Sequence, residues 1–161
     1  EGESFNPISS EELTSKNLPK RHRDFCNLVD AITEKLLEAN LISLKGLRAT
    51  PQREAYTRYF RYGDDKSKII ASIKLDYSAW LETELSPLWL ECWPDSHENM
   101  GNICKQYAIK EGITLLENKS TYLLPFHVEP LAEFNEIVDA AFNRTKGIIP
   151  YLEELSGDLS E

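Results

Sequence analysis

AYTRYFRY at residues 55–62 and KIIASIKLDY at residues 68–77 are the two segments that decide the fold class. The second segment alternates apolar and polar residues, and the first is rich in aromatic residues and β-formers, so both predict strands. Gly63-Asp64-Asp65 lies between them and is typical of a turn, which predicts a β-hairpin. Because a hairpin pairs its strands antiparallel, we expect a largely antiparallel sheet.

Alternation along the first strand divides its side chains between the two faces of the sheet. One face receives Tyr56, Arg58, Phe60 and Tyr62, and the other receives Thr57, Tyr59 and Arg61. Tyrosine and arginine side chains that stay exposed on a strand are typical of contact surfaces. The alternative is that one face is core and that the arginines pair with sheet neighbours such as Glu91.

Helical periodicity flanks the strand region on both sides. Helices are predicted at 19–40, at 99–111 and from about 129 to a break at Gly147, after which Pro150 opens a short final helix; further strands are predicted at 87–93, 113–117 and 121–126. This order predicts an α+β fold in which an N-terminal, a middle and a C-terminal helix pack on a sheet of about five strands.

The length of 161 residues suits one domain, and 41% hydrophobic residues are enough for a packed core. Residues 1–19 lack periodicity and are predicted to be a flexible arm. Residues 20–156 are predicted to form a single α+β domain, and residues 157–161 an acidic tail.

Three features predict a cytoplasmic protein that does not enter a membrane. The apolar runs are only a few residues long, so no membrane span is expected. The first ten residues do not have the basic and then apolar pattern of a signal peptide. The cysteines, Cys26, Cys92 and Cys104, are sparse and odd in number, which argues against a disulfide framework.

Charge is distributed unevenly along this acidic chain, whose formal net charge is -9. Residues 44–68 contain seven bases and three acids, a local net charge of +4, whereas residues 129–161 contain eight acids and two bases. The acidic body would repel nucleic acid and anionic lipid. A basic patch on an acidic body instead favours an acidic partner.

The leading functional hypothesis is a non-enzymatic interaction module. Its predicted binding residues are Arg48, Arg53, Arg58, Tyr59 and Arg61. The expected partner is an acidic protein or a second copy of the chain, since the acidic C-terminal helices could meet the basic hairpin in a homodimer. A nucleic-acid backbone is a further candidate that the net charge disfavours. This hypothesis requires no cofactor.

Two other functions are compatible with the sequence. Asp95 in a Pro-Asp pair, followed by Glu117 and Lys119, matches a loose metal-dependent nuclease pattern in which the acids hold Mg²⁺. The context is poor for this pattern, because a predicted helix separates its two halves and Lys119 falls in a turn. The other alternative is a small-ligand pocket between the sheet and the last helix.

A set of short motifs is distributed over residues 22–145: KGLRATP at 45–51, YFR at 59–61, Trp80, SPLWL at 86–90 and YLLP at 122–125. Together they resemble the C-terminal module of bacterial PD-(D/E)XK-superfamily proteins whose function is poorly defined. In those proteins the nuclease-like core lies upstream of this module. The resemblance therefore implies an accessory or recognition module, of the kind found in phage-defence or mobile-element products, and not the catalytic part.

Overall fold

The computed structural model describes residues 4–5, 18–52, 54–62, 69–93, 100–118, 121–129 and 131–157. Its helices are α1 (Leu18–Glu38), α2 (Tyr77–Thr83), α3 (Met100–Glu111) and α4 (Phe134–Gly157). Its strands are β1 (Ser4–Phe5), β2 (Ala49–Pro51), β3 (Ala55–Tyr62), β4 (Ile69–Asp76), β5 (Leu88–Cys92), β6 (Leu116–Asn118), β7 (Thr121–Pro125) and β8 (Ala132–Glu133).

The main sheet of the described residues has six strands in the order β2-β3-β4-β5-β7-β6. Each strand pairs antiparallel with its neighbour, so the predicted α+β class is confirmed. The sheet has slightly more strands than the five expected, because β2 forms in a segment whose pattern predicts a turn. Helix α3 connects β5 to β6, and β7 lies between those two strands in the sheet.

Strands β3 and β4 pair over eight residues, from Ala55 opposite Asp76 to Tyr62 opposite Ile69. Both strands of the predicted hairpin are confirmed, while its turn at 63–65 lies outside the described residues. Phe60 and Tyr62 are buried in the main core with the helices. We call this side of the sheet the helical face, and the side that carries Tyr59 and Arg61 the second face.

The main core lies between the helical face and helices α1, α3 and α4. Its largest fully buried side chains include Phe25, Leu28, Ile32, Leu36, Phe60, Tyr62, Ile73 and Phe126. Helix α1 ends where the sequence predicts. Asn40 has a φ of 58°, and the Leu41 N–H donates to the Leu36 carbonyl (3.1 Å), which is a left-handed helix stop.

Strand β2 forms one edge of the sheet and contains Pro51. The Gln52 N–H donates to the Ala55 carbonyl at 2.7 Å, so the backbone of Gln52 faces β3. Since neighbouring residues of a strand face opposite ways, the nitrogen of Pro51 faces outward from the sheet.

Tyr77 begins helix α2, although the alternating pattern predicts it as the last residue of a strand. The reason is Asp76, whose carboxylate accepts the Ala79 N–H at 2.9 Å and caps the helix. An aspartate in this position satisfies a backbone donor that is otherwise unpaired in the first turn.

Helix α4 starts later than predicted and is not broken at Gly147. The residues just before it, Ala132–Glu133, pair with Ser4–Phe5 of the segment predicted to be an arm. A glycine inside a helix costs about 1 kcal/mol. Burial of Ile148 and Ile149 in the core offsets that cost, so the helix continues through Pro150.

Two adjacent leucines of α1 test the burial that holds the helix to the sheet. Leu36 is fully buried, whereas Leu37 is 37% exposed. We expect Leu36→Ala to lower the free energy of unfolding by about 3 kcal/mol and Leu37→Ala by less than about 1 kcal/mol. Urea denaturation of both variants measures the difference, and equal losses would contradict the packing described here.

Candidate functional site

The predicted binding residue Arg58 is engaged inside the fold. Its Nη1 lies 2.6 Å from Asp30 Oδ1 and its Nη2 lies 3.3 Å from Glu34 Oε1, both on α1. The Tyr56 hydroxyl donates to the same Asp30 oxygen at 2.8 Å. Only 18% of the Arg58 side chain is exposed. The hypothesis that Arg58 contacts a partner is therefore corrected, because its guanidinium already joins β3 to α1.

The charges around Arg58 favour its protonated form. Burial alone would lower the Arg58 pKa, but the hydrogen bonds and charges of Asp30 and Tyr56 outweigh burial and raise it. Burial and Asp30 also raise the pKa of Tyr56. Arg58 is thus charged with a neutral tyrosine beside it, and its contact with Asp30 joins β3 to α1.

Asp30 belongs to a polar stripe on α1 whose members are four residues apart: His22, Cys26, Asp30 and Glu34. His22 Nδ1 lies 2.9 Å from the Tyr77 hydroxyl, and the Cys26 Sγ lies 3.5 Å from His22 Nε2. Burial and the nearby Asp30 charge raise the Cys26 pKa to about 11. Cys26 is therefore a neutral thiol at physiological pH, so this cysteine–histidine pair lacks the thiolate that nucleophilic catalysis needs.

Alkylation of Cys26 tests this assignment. With a pKa of about 11 in place of the ordinary 9.0, its thiolate fraction at pH 8 falls about a hundredfold. Higher nucleophilicity of the more basic thiolate offsets part of that loss, so we expect iodoacetamide to react about tenfold more slowly than with the urea-unfolded chain. Peptide-resolved mass spectrometry measures the rate at Cys26, and equal rates in the folded and unfolded chain would contradict the prediction.

The other predicted binding residues occupy different surroundings. Tyr59 stacks against Trp93, with 5.5 Å between ring centroids and 34° between ring planes. Arg61 is half-buried, and its backbone exchanges two hydrogen bonds of 2.8 Å with Ser43. Arg48 is exposed, and Arg53 lies outside the described residues. The predicted set is therefore not a single surface.

The exposed bases Lys45 and Arg48 lie in the loop between α1 and β2, and we call this pair the basic corner. A β-turn carries Lys45 at its tip, since the Leu47 N–H donates to the Leu44 carbonyl at 2.9 Å. Gly46 follows with a φ of 77°, which a residue with a side chain rarely adopts. Neither corner side chain contacts a carboxylate in the described part of the chain.

Of the three residues in the nuclease pattern, the structure describes only Glu117. Asp95 and Lys119 lie outside the described residues. Glu117 is on β6, exposed, and its Oε1 lies 3.0 Å from Lys105 Nζ. Strand β7 separates β5, which precedes Asp95, from β6. Over the described ranges, no group of three or more His, Cys, Asp and Glu side chains is arranged to hold a metal ion.

Two of the three cysteines are buried together with the core. Cys92 and Cys104 are fully buried, as the helical pattern predicts for Cys104. Contact with Cys104 and burial raise the pKa of Cys92 well above its usual value. The Cys92 thiol is therefore protonated, both thiols are enclosed, and all three cysteines are free.

A further polar network of the described residues lies on the second face, and the sequence did not predict it. Lys74 Nζ lies 3.0 Å from Glu91 Oε2 on the next strand and 3.0 Å from Asp76 Oδ2. These three side chains are only 15%, 5% and 12% exposed. Burial would lower the Lys74 pKa, but Glu91 and Asp76 outweigh burial and raise it. The signal that could have indicated the network is Glu91, a single charge in an otherwise apolar strand.

This network has a scaffold role that a double-mutant cycle measures. Removing one member leaves an opposite charge buried without its partner, so we expect Lys74→Met and Glu91→Leu each to cost about 3 kcal/mol of unfolding free energy. The double variant should cost at least about 1 kcal/mol less than the sum of the single ones. Urea denaturation at pH 7 gives all values, and additive losses would contradict a coupled pair.

Two clefts flank His127, whose Nε2 lies 2.7 Å from Glu129 Oε1. The larger one has a volume of about 370 Å³ and is lined by His127, Glu129, Leu131, Ala132, Glu136, Ile137 and Ala140. We call it the acidic cleft. The smaller one, of about 240 Å³, includes Glu111 and Arg144. Core side chains pack between the helical face and α4, and the smaller cleft is lined by Pro125 of β7 and Arg144 of α4, so the ligand-pocket alternative stays a prediction.

Comparison of the chain with protein-family models, with curated protein sequences and with solved structures found no match. The resemblance to a module of PD-(D/E)XK-superfamily proteins thus stays a prediction. Within the described part of the chain, none of the helices combines the length and the apolar character that crossing a membrane requires.

Proposed function

We propose that this chain is a non-enzymatic interaction module that contacts an acidic partner through the basic corner, Lys45 and Arg48. The observation that carries the proposal is a contrast between bases. Lys35, Arg58, Lys74 and Lys105 each contact a carboxylate of the same chain. Lys45 and Arg48 are exposed and make no such contact among the described residues, and they differ from the equally exposed Lys20 and Arg23 in lying on a loop beside the edge strand β2.

The position of the corner supports a role in contact. It lies in a loop at the edge of the sheet, where a partner can approach without displacing the core. Arginine and lysine bind carboxylates by charge-assisted hydrogen bonds, and arginine can do so with two parallel bonds. Two such contacts at an exposed site give a weak, salt-dependent attraction.

The proposal includes a cytoplasmic location and an accessory role beside other components. The three free thiols support the location, since oxidising compartments favour disulfides. The observations on Glu117 do not favour the nuclease alternative, because its carboxylate contacts Lys105 and its strand is not adjacent to β5.

Charge reversal at the corner tests the proposal. We expect the Lys45→Glu, Arg48→Glu double variant to bind a fluorescein-labelled polyglutamate peptide at least about tenfold more weakly at low salt, because two attractive contacts of about 1 kcal/mol each become repulsive. Fluorescence anisotropy gives the affinities. Thermal melting should stay unchanged, since neither side chain supports the fold.

The matched control is Lys20→Glu, Arg23→Glu, which reverses two exposed bases at the start of α1 and changes the net charge equally. We expect it to bind the peptide within about twofold of the wild type. If both double variants lose affinity equally, net charge and not the corner governs binding, and the proposal fails.

A further inference from the structure

The acidic cleft combines apolar walls with a charged rim. Leu131, Ala132, Ile137 and Ala140 form its apolar part, and Leu131 is 66% exposed although it is apolar. The cleft lies between the segment that follows β7 and the first turns of α4. An exposed apolar side chain at the mouth of a cleft is typical of a contact site.

The rim of this cleft has two carboxylates, Glu129 and Glu136, that contact no lysine or arginine among the described residues. Glu129 is 70% exposed and contacts His127, which is 66% exposed. Glu136 Oε2 accepts the Glu133 N–H at 2.9 Å, which uses one of its two carboxylate oxygens. The described lining of the cleft contains neither lysine nor arginine. Asp139, on the next turn of α4, is instead paired with Lys35.

This combination fits a long basic side chain. Lysine and arginine place their methylene stems along apolar surface while the charged head stays at a polar rim. The Glu129 and Glu136 carboxylates would accept hydrogen bonds from that head. The chemistry of the cleft therefore selects a cationic side chain over an anion or a purely apolar group.

We propose that the acidic cleft binds the basic corner of a second copy of this chain, with Arg48 or Lys45 entering the cleft. This inference rests on the function proposed above and names its partner. The corner adjoins β2 at one edge of the sheet, and the cleft adjoins the end of β7, with three strands between β2 and β7, so each copy offers two separate surfaces. The contact is head to tail, which extends to further copies or closes into a ring.

The formal net charge of -9 opposes self-association. At physiological ionic strength the Debye length is about 8 Å, so repulsion between distant acids is screened while the close contacts of corner and cleft persist. The small contact predicts weak association, visible at protein concentrations of about 100 µM and above.

Two complementary variants test the proposal by sedimentation velocity. Lys45→Glu, Arg48→Glu removes the corner and keeps the cleft. Glu129→Gln, Glu136→Gln removes the charge of the cleft and keeps an amide oxygen that can accept the Glu133 N–H. We expect the wild-type mass to rise with concentration, each variant alone to stay monomeric, and their equimolar mixture to form a one-to-one heterodimer.

Three results would overturn the proposal: a monomeric wild type, variants that associate as the wild type does, or folded variants whose mixture stays monomeric. Circular dichroism melting establishes that both variants are folded. Polyglutamate binding separates the two proposals. If the wild type binds the peptide but stays monomeric, only the second-copy assignment fails; if it does not bind the peptide, the proposed function fails. A monomeric chain whose cleft binds an arginine-rich peptide would assign the cleft to a different basic partner.

Discussion

The eight-residue pairing of β3 with β4 determines on which side of the sheet each hairpin side chain lies. A slip of one residue would move Phe60 and Tyr62 from the core to the second face, and burial of those two rings opposes it. Because side chains alternate between the two faces of a strand, Arg58 lies on the helical face with Phe60 and Tyr62, where it contacts Asp30. Lys74 lies on the second face, where the pairing of β4 with β5 brings Glu91 next to it. Core packing and the Arg58 ion pair therefore depend on this register.

The charged side chains then divide into two groups. Those on β3 and β4 hold parts of the fold together: Arg58 joins a strand to α1, and Lys74 joins two strands and meets the cap of α2. Partly buried ion pairs of this kind add little net stability, but breaking one is costly, so they favour one arrangement of the elements. The second group is the bases of the α1–β2 loop, Lys45 and Arg48, which contact no carboxylate within the described residues. The proposals for function begin from that second group.

Much of the fold was accessible from sequence because the dominant signals are local. The two-residue alternation around Ile73 predicts β4, and the apolar spacing from Phe25 to Leu36 predicts α1. The failures arose where a local signal competes with burial or capping. Gly147 predicts a helix end, but burial of Ile148 in the core outweighs the cost of the glycine, and the helix continues. Alternation predicts that Tyr77 belongs to a strand, but Asp76 caps a helix that begins at Tyr77.

The contacts of the candidate site were harder to predict from the sequence, because they depend on which strands and helices become neighbours. Sequence separates the faces of β3 correctly, yet the partner of Arg58 is Asp30, which lies 28 residues earlier on a helix. The partner of Glu91 is Lys74 and not an arginine. Long-range pairings of this kind follow from topology and register, which periodicity alone does not provide. The charge counts, which do not depend on strand register, place Arg48 in a basic segment, and the structure shows that Arg48 is exposed.

Pro51 limits how copies of this molecule can join. An edge strand normally presents backbone donors and acceptors that recruit a further strand, and unprotected edges lead to open-ended aggregation. The outward-facing nitrogen of Pro51 carries no hydrogen, and β2 is only three residues long. Continuous sheet growth across this border is therefore disfavoured. Assembly on this side is then favoured through side chains, and salt can weaken contacts between charged side chains reversibly.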